Sequence, residues 1–138
     1  MSNFLFQVAT CLLFDKDDKL IIYLRDDKPE ISFPNHWDLF GGIMEEGESP
    51  EQCLLREAQE ELSITISDYK FWKTFDDPNN GKPNRKYVFV ANINLPVTDL
   101  KSEVGQQLTS IHLSERNKYR FANILGEVIE DYSKLQKS

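Results

Sequence analysis

Between Gly42 and Ile64 seven carboxylates, Glu45, Glu46, Glu48, Glu51, Glu57, Glu60 and Glu61, stand against a single cation, Arg56. So much like charge in one segment calls for a metal ion or for a solvated face. Ser49 is a good helix N-cap and Pro50 suits the first helical position, so a helix is predicted over residues 50–62. Wound at 3.6 residues per turn, that helix sets Glu57, Glu60 and Glu61 within about 100° of one face and Leu55, Ala58 and Leu62 on another. Three carboxylates a turn apart can share a hard divalent cation, Mg²⁺ or Mn²⁺, which takes oxygen ligands and bridges to phosphate. For an isolated E-x-x-E-E, an acidic face turned to water is the plainer alternative.

These residues must be held in place by the elements around them. Residues 4–14 and 20–25 read as two strands flanking the polar turn 15–18, and they are predicted to pair as a hairpin. Residues 26–36, with Pro29 and Pro34, read as a loop, and 37–40 as a short strand that feeds the glycine pair Gly41-Gly42. Beyond the helix, 69–75 and 87–93 are strand candidates separated by a long turn at 76–81. Residues 107–113 give a further strand, Ser114 is a candidate cap for a short helical turn, and 124–135 carries helical spacing. Strands, a central helix, more strands and a last helix suit an α+β sandwich, with helices covering both faces of a mixed sheet.

A length of 138 residues and 40% hydrophobic content fit one domain, 1–138, large enough to bury a core. A net charge of -7 argues against a polynucleotide partner, which would need clustered Lys and Arg. Cys11 and Cys53 lack metal-ligand spacing and read as reduced, structural thiols. The apolar N-terminal stretch has no basic leader and runs into Asp15, so it reads as a buried strand rather than a signal peptide. No run approaches the length of a membrane span, and a cytoplasmic location is expected.

Gly42, Glu48, Arg56, Glu57, Glu60, Glu61 and Ile64, at their spacing, resemble the signature loop-helix-loop of the Nudix hydrolases. The preceding Asn35-His36-Trp37-Asp38-Leu39-Phe40-Gly41 is similar to that family's approach to the motif. One position departs: Ser63 stands where the family has Gly just past the helix, and a left-handed conformation there costs Ser roughly 1 kcal/mol. The resemblance implies a Nudix-type α/β/α sandwich and Mg²⁺- or Mn²⁺-dependent hydrolysis of a nucleoside diphosphate linked to a group X. It implies Glu57 and Glu61 as metal ligands, Glu60 as a third, and the carbonyl of Gly41 or Gly42 completing the set. Glu48 and Arg56 are implied as organisers of those carboxylates, Arg56 by pairing with Glu60 or Glu48 rather than by touching phosphate. The general base comes from the motif or from Glu103 on a later loop; a plain surface charge is the other reading of Glu103. Arg25 is a candidate phosphate contact or an ordinary strand-end arginine.

The group X is weakly written. Phe33, Trp37, Trp72, Phe75 and Tyr87 could each stack a base or simply fill the core. Phe121-Ala122-Asn123 resembles the pair before the last helix of MutT-type members of the family, where Asn reads a purine; a helix N-cap is the alternative. That favours a small-molecule nucleotide, a nucleoside triphosphate, cleaved to the monophosphate and pyrophosphate, with a damaged purine nucleotide among the options. A nucleotide-sensing module without turnover, or a hydrolase of a nucleotide sugar or other diphosphate, are the alternatives. The oligomeric state is left open.

Overall fold

The computed structural model describes residues 4–101 and 107–136. Six strands, β1 (Phe6–Phe14), β2 (Leu20–Leu24), β3 (Trp37–Ile43), β4 (Asp68–Asp77), β5 (Asn84–Asn92) and β6 (Gln107–Ile111), form one mixed sheet in the order β4-β5-β1-β3-β2-β6. β1 and β5 run parallel, and every other neighbouring pair is antiparallel. Helix α1 (Pro50–Glu57) and the π-helical turn Ala58–Leu62 lie between β3 and β4 in the chain, and helix α2 (Leu125–Gln136) follows β6.

Side chains alternate across a strand, and β1 is apolar on both sides, so it can sit at the middle of a sandwich. Ala9, Cys11 and Leu13 join Cys53, Leu54, Ala58 and Leu62 of the first helical segment in one buried cluster. Leu12 and Phe14 join Leu125, Val128 and Ile129 of α2 in the other. The α/β/α sandwich read from the sequence is therefore the architecture. Both cysteines are buried free thiols. Among the described residues no helix is long and apolar enough to cross a membrane.

Several local expectations are corrected. β1 and β2 are not a hairpin: they meet only at Phe14 and Leu20, and β3 inserts between them, pairing with β1 from Val8 to Cys11 and with β2 from Ile22 to Leu24. β3 is longer than predicted because Gly41 and Gly42 continue its ladder opposite Thr10 and Ala9. β4 runs on into the predicted turn and β5 starts earlier than residue 87, with Asp77 opposite Asn84. The turn after β6 spans Leu113–Lys118, and its cap is His112, whose N–H donates to Glu115 at 3.1 Å, rather than Ser114.

Candidate active site

The helix carrying the carboxylates starts as its sequence dictates. Gln52 N–H donates to Ser49 Oγ at 3.1 Å and Gln52 Oε1 accepts from Ser49 N–H at 2.9 Å, a reciprocal cap with Pro50 as the first helical residue. It ends differently from the regular helix expected over 50–62. After Glu57 the backbone widens into the π-helical turn, which stops at Ser63 with φ 56° and ψ 38°. That is the left-handed conformation expected of this position.

A wider turn takes more residues per revolution, so positions four apart stay close in angle while positions three apart diverge. Glu57, only 8% exposed, lies close enough to Glu61 to act on its ionisation. Glu60 swings outward, with a side chain 57% exposed. Burial, then the proximity and charge of Glu57, push the Glu61 carboxyl up to about 8.

Arg56 is enclosed by acceptors. Its Nε and Nη2 donate to the two oxygens of Glu48 at 2.7 and 3.0 Å. Nη1 donates to Glu57 at 3.0 Å and to Glu60 at 3.1 Å, and Nη2 also reaches the Ile43 carbonyl at 3.2 Å. The Arg56 hydrogen bonds hold Glu48 down at about 2, and Glu48 Oε1 further accepts from the Glu45 N–H at 3.0 Å. Gly42 is required on steric grounds: a methyl group on it would overlap the Glu57 carboxylate. One on Gly41 would strike the Ala9 carbonyl across the β1–β3 ladder.

Beside the glycine pair opens a cavity of about 430 Å³. Phe6, Val8 and Thr10 of β1, Asn84 and Lys86 of β5, Leu39 and the two glycines of β3, and Leu125 of α2 line it. Tyr23, Arg25 and Asp38 form one wall: Asp38 Oδ2 accepts from Tyr23 at 3.0 Å and from Arg25 Nη1 at 2.8 Å, and Arg25 Nε donates to the Ser32 carbonyl at 2.9 Å. Gly42, which lines the cavity, packs against the Glu57 carboxylate, so the carboxylate pair borders it. Asn123 also lines the cavity. Its φ is 55°, which is not the backbone of a helix N-cap, and its Oδ1 is buried without a hydrogen-bond partner.

The structure thus brings Gly41, Gly42, Glu48, Arg56, Glu57 and Glu61 into one constellation and places Arg25 and Asn123 on the adjoining cavity. Glu60 stands at its edge. Glu103 lies outside the described residues. Of the aromatic candidates Phe33 lines the cavity, whereas Trp37, Trp72 and Phe75 pack in the α2 core and Tyr87 packs against the α1 core. Sequence reasoning missed Phe6, Tyr23, Asp38 and Lys86. Only strand pairing tells which of them share a face.

The NUDIX domain profile matches residues 5–125. The chain belongs to the NUDIX family. Over 60 residues it is 37% identical to an 8-oxo-dGTP diphosphatase of Proteus vulgaris, a match spanning 44% of this chain and 52% of that relative. Its fold is similar to that of a MutT protein from Methanosarcina mazei Go1, with a TM-score of 0.83 at 17% identity over 100% of this chain and 99% of the other. It is also similar to the NUDIX domain of Shewanella oneidensis NrtR complexed with ADP ribose, with a TM-score of 0.78 at 17% identity, covering 99% of this chain and 90% of that one.

Carboxylates are the donors that a hard divalent cation takes, and Glu57 and Glu61 supply two of them. The charge of Glu57 raises the Glu61 carboxyl after burial, and a methyl group on Gly42 would fill the space Glu57 occupies. Among the described residues no three His, Cys, Asp or Glu side chains converge enough to enclose an ion. What converges is the Glu57–Glu61 pair, while Glu60 is drawn to Arg56.

Proposed function

We propose that the protein hydrolyses a phosphoric anhydride in a nucleoside diphosphate linked to X, and that its substrate is a purine nucleoside triphosphate cleaved to the monophosphate and pyrophosphate. The observation that carries this reading is that Gly42, against which the Glu57 carboxylate packs beside Glu61, lines a cavity holding an unpartnered Asn123 amide oxygen. Family membership and the partial match to an 8-oxo-dGTP diphosphatase support it.

Glu57 and Glu61, with Glu60 and the Gly41 carbonyl, would hold Mg²⁺ or Mn²⁺. A bound ion of that kind supplies positive charge against the diphosphate and polarises its oxygens. Arg56, clamped between Glu48 and the carboxylates, fixes their direction instead of touching substrate. Glu103 or a carboxylate of the helix takes the proton from the attacking water. Arg25 and Asn123 contact the substrate from the cavity wall. With a net charge of -7 the chain suits a small nucleotide better than a polynucleotide or a membrane surface, and its free thiols suit the cytoplasm.

The test is a nucleotide panel with Mg²⁺, read by an assay that separates orthophosphate from pyrophosphate. Pyrophosphate release from a purine triphosphate is expected. Glu61→Gln should lower kcat by on the order of 10³ with an unchanged circular dichroism spectrum. Near-normal turnover in the folded variant would remove this helix from the reaction.

A further inference from the structure

The cavity floor carries a charge pair for which the hydrolytic reading has no use. β1 and β5 run parallel with Phe6 beside Asn84 and Val8 beside Lys86, and all four residues line the cavity. Lys86 is only 5% exposed, a rare position for an ammonium group. Its Nζ donates to Asn84 Oδ1 at 2.8 Å and lies 3.2 Å from Asp77 Oδ2. Counted as partners, Asn84 Oδ1 and Asp77 Oδ2 together use two of the three ammonium N–H donors and leave one for a ligand. The other oxygen of Asp77 accepts from the Asn79 N–H at 2.9 Å, which ties the pair to the β4–β5 turn.

Asn123 Oδ1, on the wall of the same cavity, is a buried acceptor with no donor. Neither feature is explained by stability. Desolvation offsets most of the attraction in a buried ion pair, and an orphaned buried acceptor is a net cost. Both are explained by a ligand that brings one acceptor and one N–H.

Resting on the reading of this cavity as a nucleotide site, we propose that Lys86, charge-balanced by Asp77 and held by Asn84, is the residue that selects the base. It donates to the exocyclic carbonyl oxygen of a 6-oxopurine, while Asn123 Oδ1 accepts an N–H of the same base. A 6-aminopurine presents an amino donor and a ring acceptor along that edge, so it meets donor with donor and acceptor with acceptor. Because Asp77 cancels the charge of Lys86, the site reads a neutral carbonyl rather than capturing phosphate.

Hypoxanthine and adenine nucleotides differ at this edge, and so they isolate the effect. Calorimetric binding of dIMP and dAMP, together with kcat/KM for dITP and dATP, should each favour the oxo base by at least about tenfold. In the double variant Asp77→Asn with Lys86→Met, which leaves no orphaned charge, the ratio should fall to within about twofold; Lys86→Gln, neutral but still a donor, should lie between. Equal binding of dIMP and dAMP by the unaltered protein overturns the inference, and that measurement depends on no variant's folding. A ratio unchanged in either folded variant overturns it as well. Triphosphate turnover without a base preference leaves the hydrolase reading and removes Lys86 as the reader. A dIMP preference without turnover of any triphosphate does the reverse.

Discussion

One guanidinium, that of Arg56, donates to three carboxylates and a carbonyl, and its strongest geometry is the fork it makes on Glu48. Paired charges in such a fork gain from geometry as well as attraction. Glu48 is held down at about 2, from 4.5 in an unstructured chain. A carboxyl whose folded value is depressed adds stability that is fully present above about pH 4.5 and is lost as pH falls towards 2. Glu48→Gln should therefore flatten the acid limb of a plot of melting temperature against pH in that window. Parallel acid limbs for the two proteins would place the acid sensitivity elsewhere. At this scale the carboxylate spacing and Arg56 were legible, because a helix turns sequence intervals directly into faces. Lys86, Tyr23 and Asp38 were not, because on a strand the face is set by alternation but the neighbour is set by pairing.

Among the elements, the first helical segment departs most from a regular repeat. Its change from α to π after Glu57 leaves Glu61 beside Glu57, as either helix would, but turns Glu60 outward, which a count at 3.6 residues per turn does not give. The exit at Ser63, with φ 56° and an exposed side chain, was readable from the departure at a single position. Ser63→Gly relieves the left-handed cost and should stabilise by roughly 0.5 to 1 kcal/mol, net of glycine's extra freedom in the unfolded chain. Thermal or urea unfolding measures it. A loss of stability would show that the Ser63 side chain makes a compensating interaction. The hairpin expectation failed for a different reason. Two apolar strands joined by a four-residue polar turn look like neighbours, but β1 needs partners on both edges and takes the glycine-bearing β3, whose small residues let the backbones approach.

For the molecule as a whole, both helical layers and the mixed sheet followed from apolar patterning and element order, whereas the order of strands within the sheet did not. The facing carboxylates at its centre are a local liability that a bound cation would remove. Anything that binds the folded state alone raises its apparent stability by mass action. The melting temperature should rise progressively with millimolar Mg²⁺, and Glu61→Gln should abolish most of that rise while itself melting no lower in the absence of metal. A Mg²⁺ response that is the same in both proteins would mean that the ion binds elsewhere.

The parallel pairing of β1 with β5 also constrains how the chain acquires its shape during synthesis. Phe6 faces Asn84 and Phe14 faces Asn92, so each partner lies 78 positions further along. The central strand therefore leaves the ribosome long before its neighbour exists. Until β5 emerges, one edge of an almost wholly apolar strand is open to other chains, and closing so long a loop is slow. A nascent chain halted before residue 84 should be a good client for chaperones and prone to self-association, and one extended past residue 92 should lose both traits together.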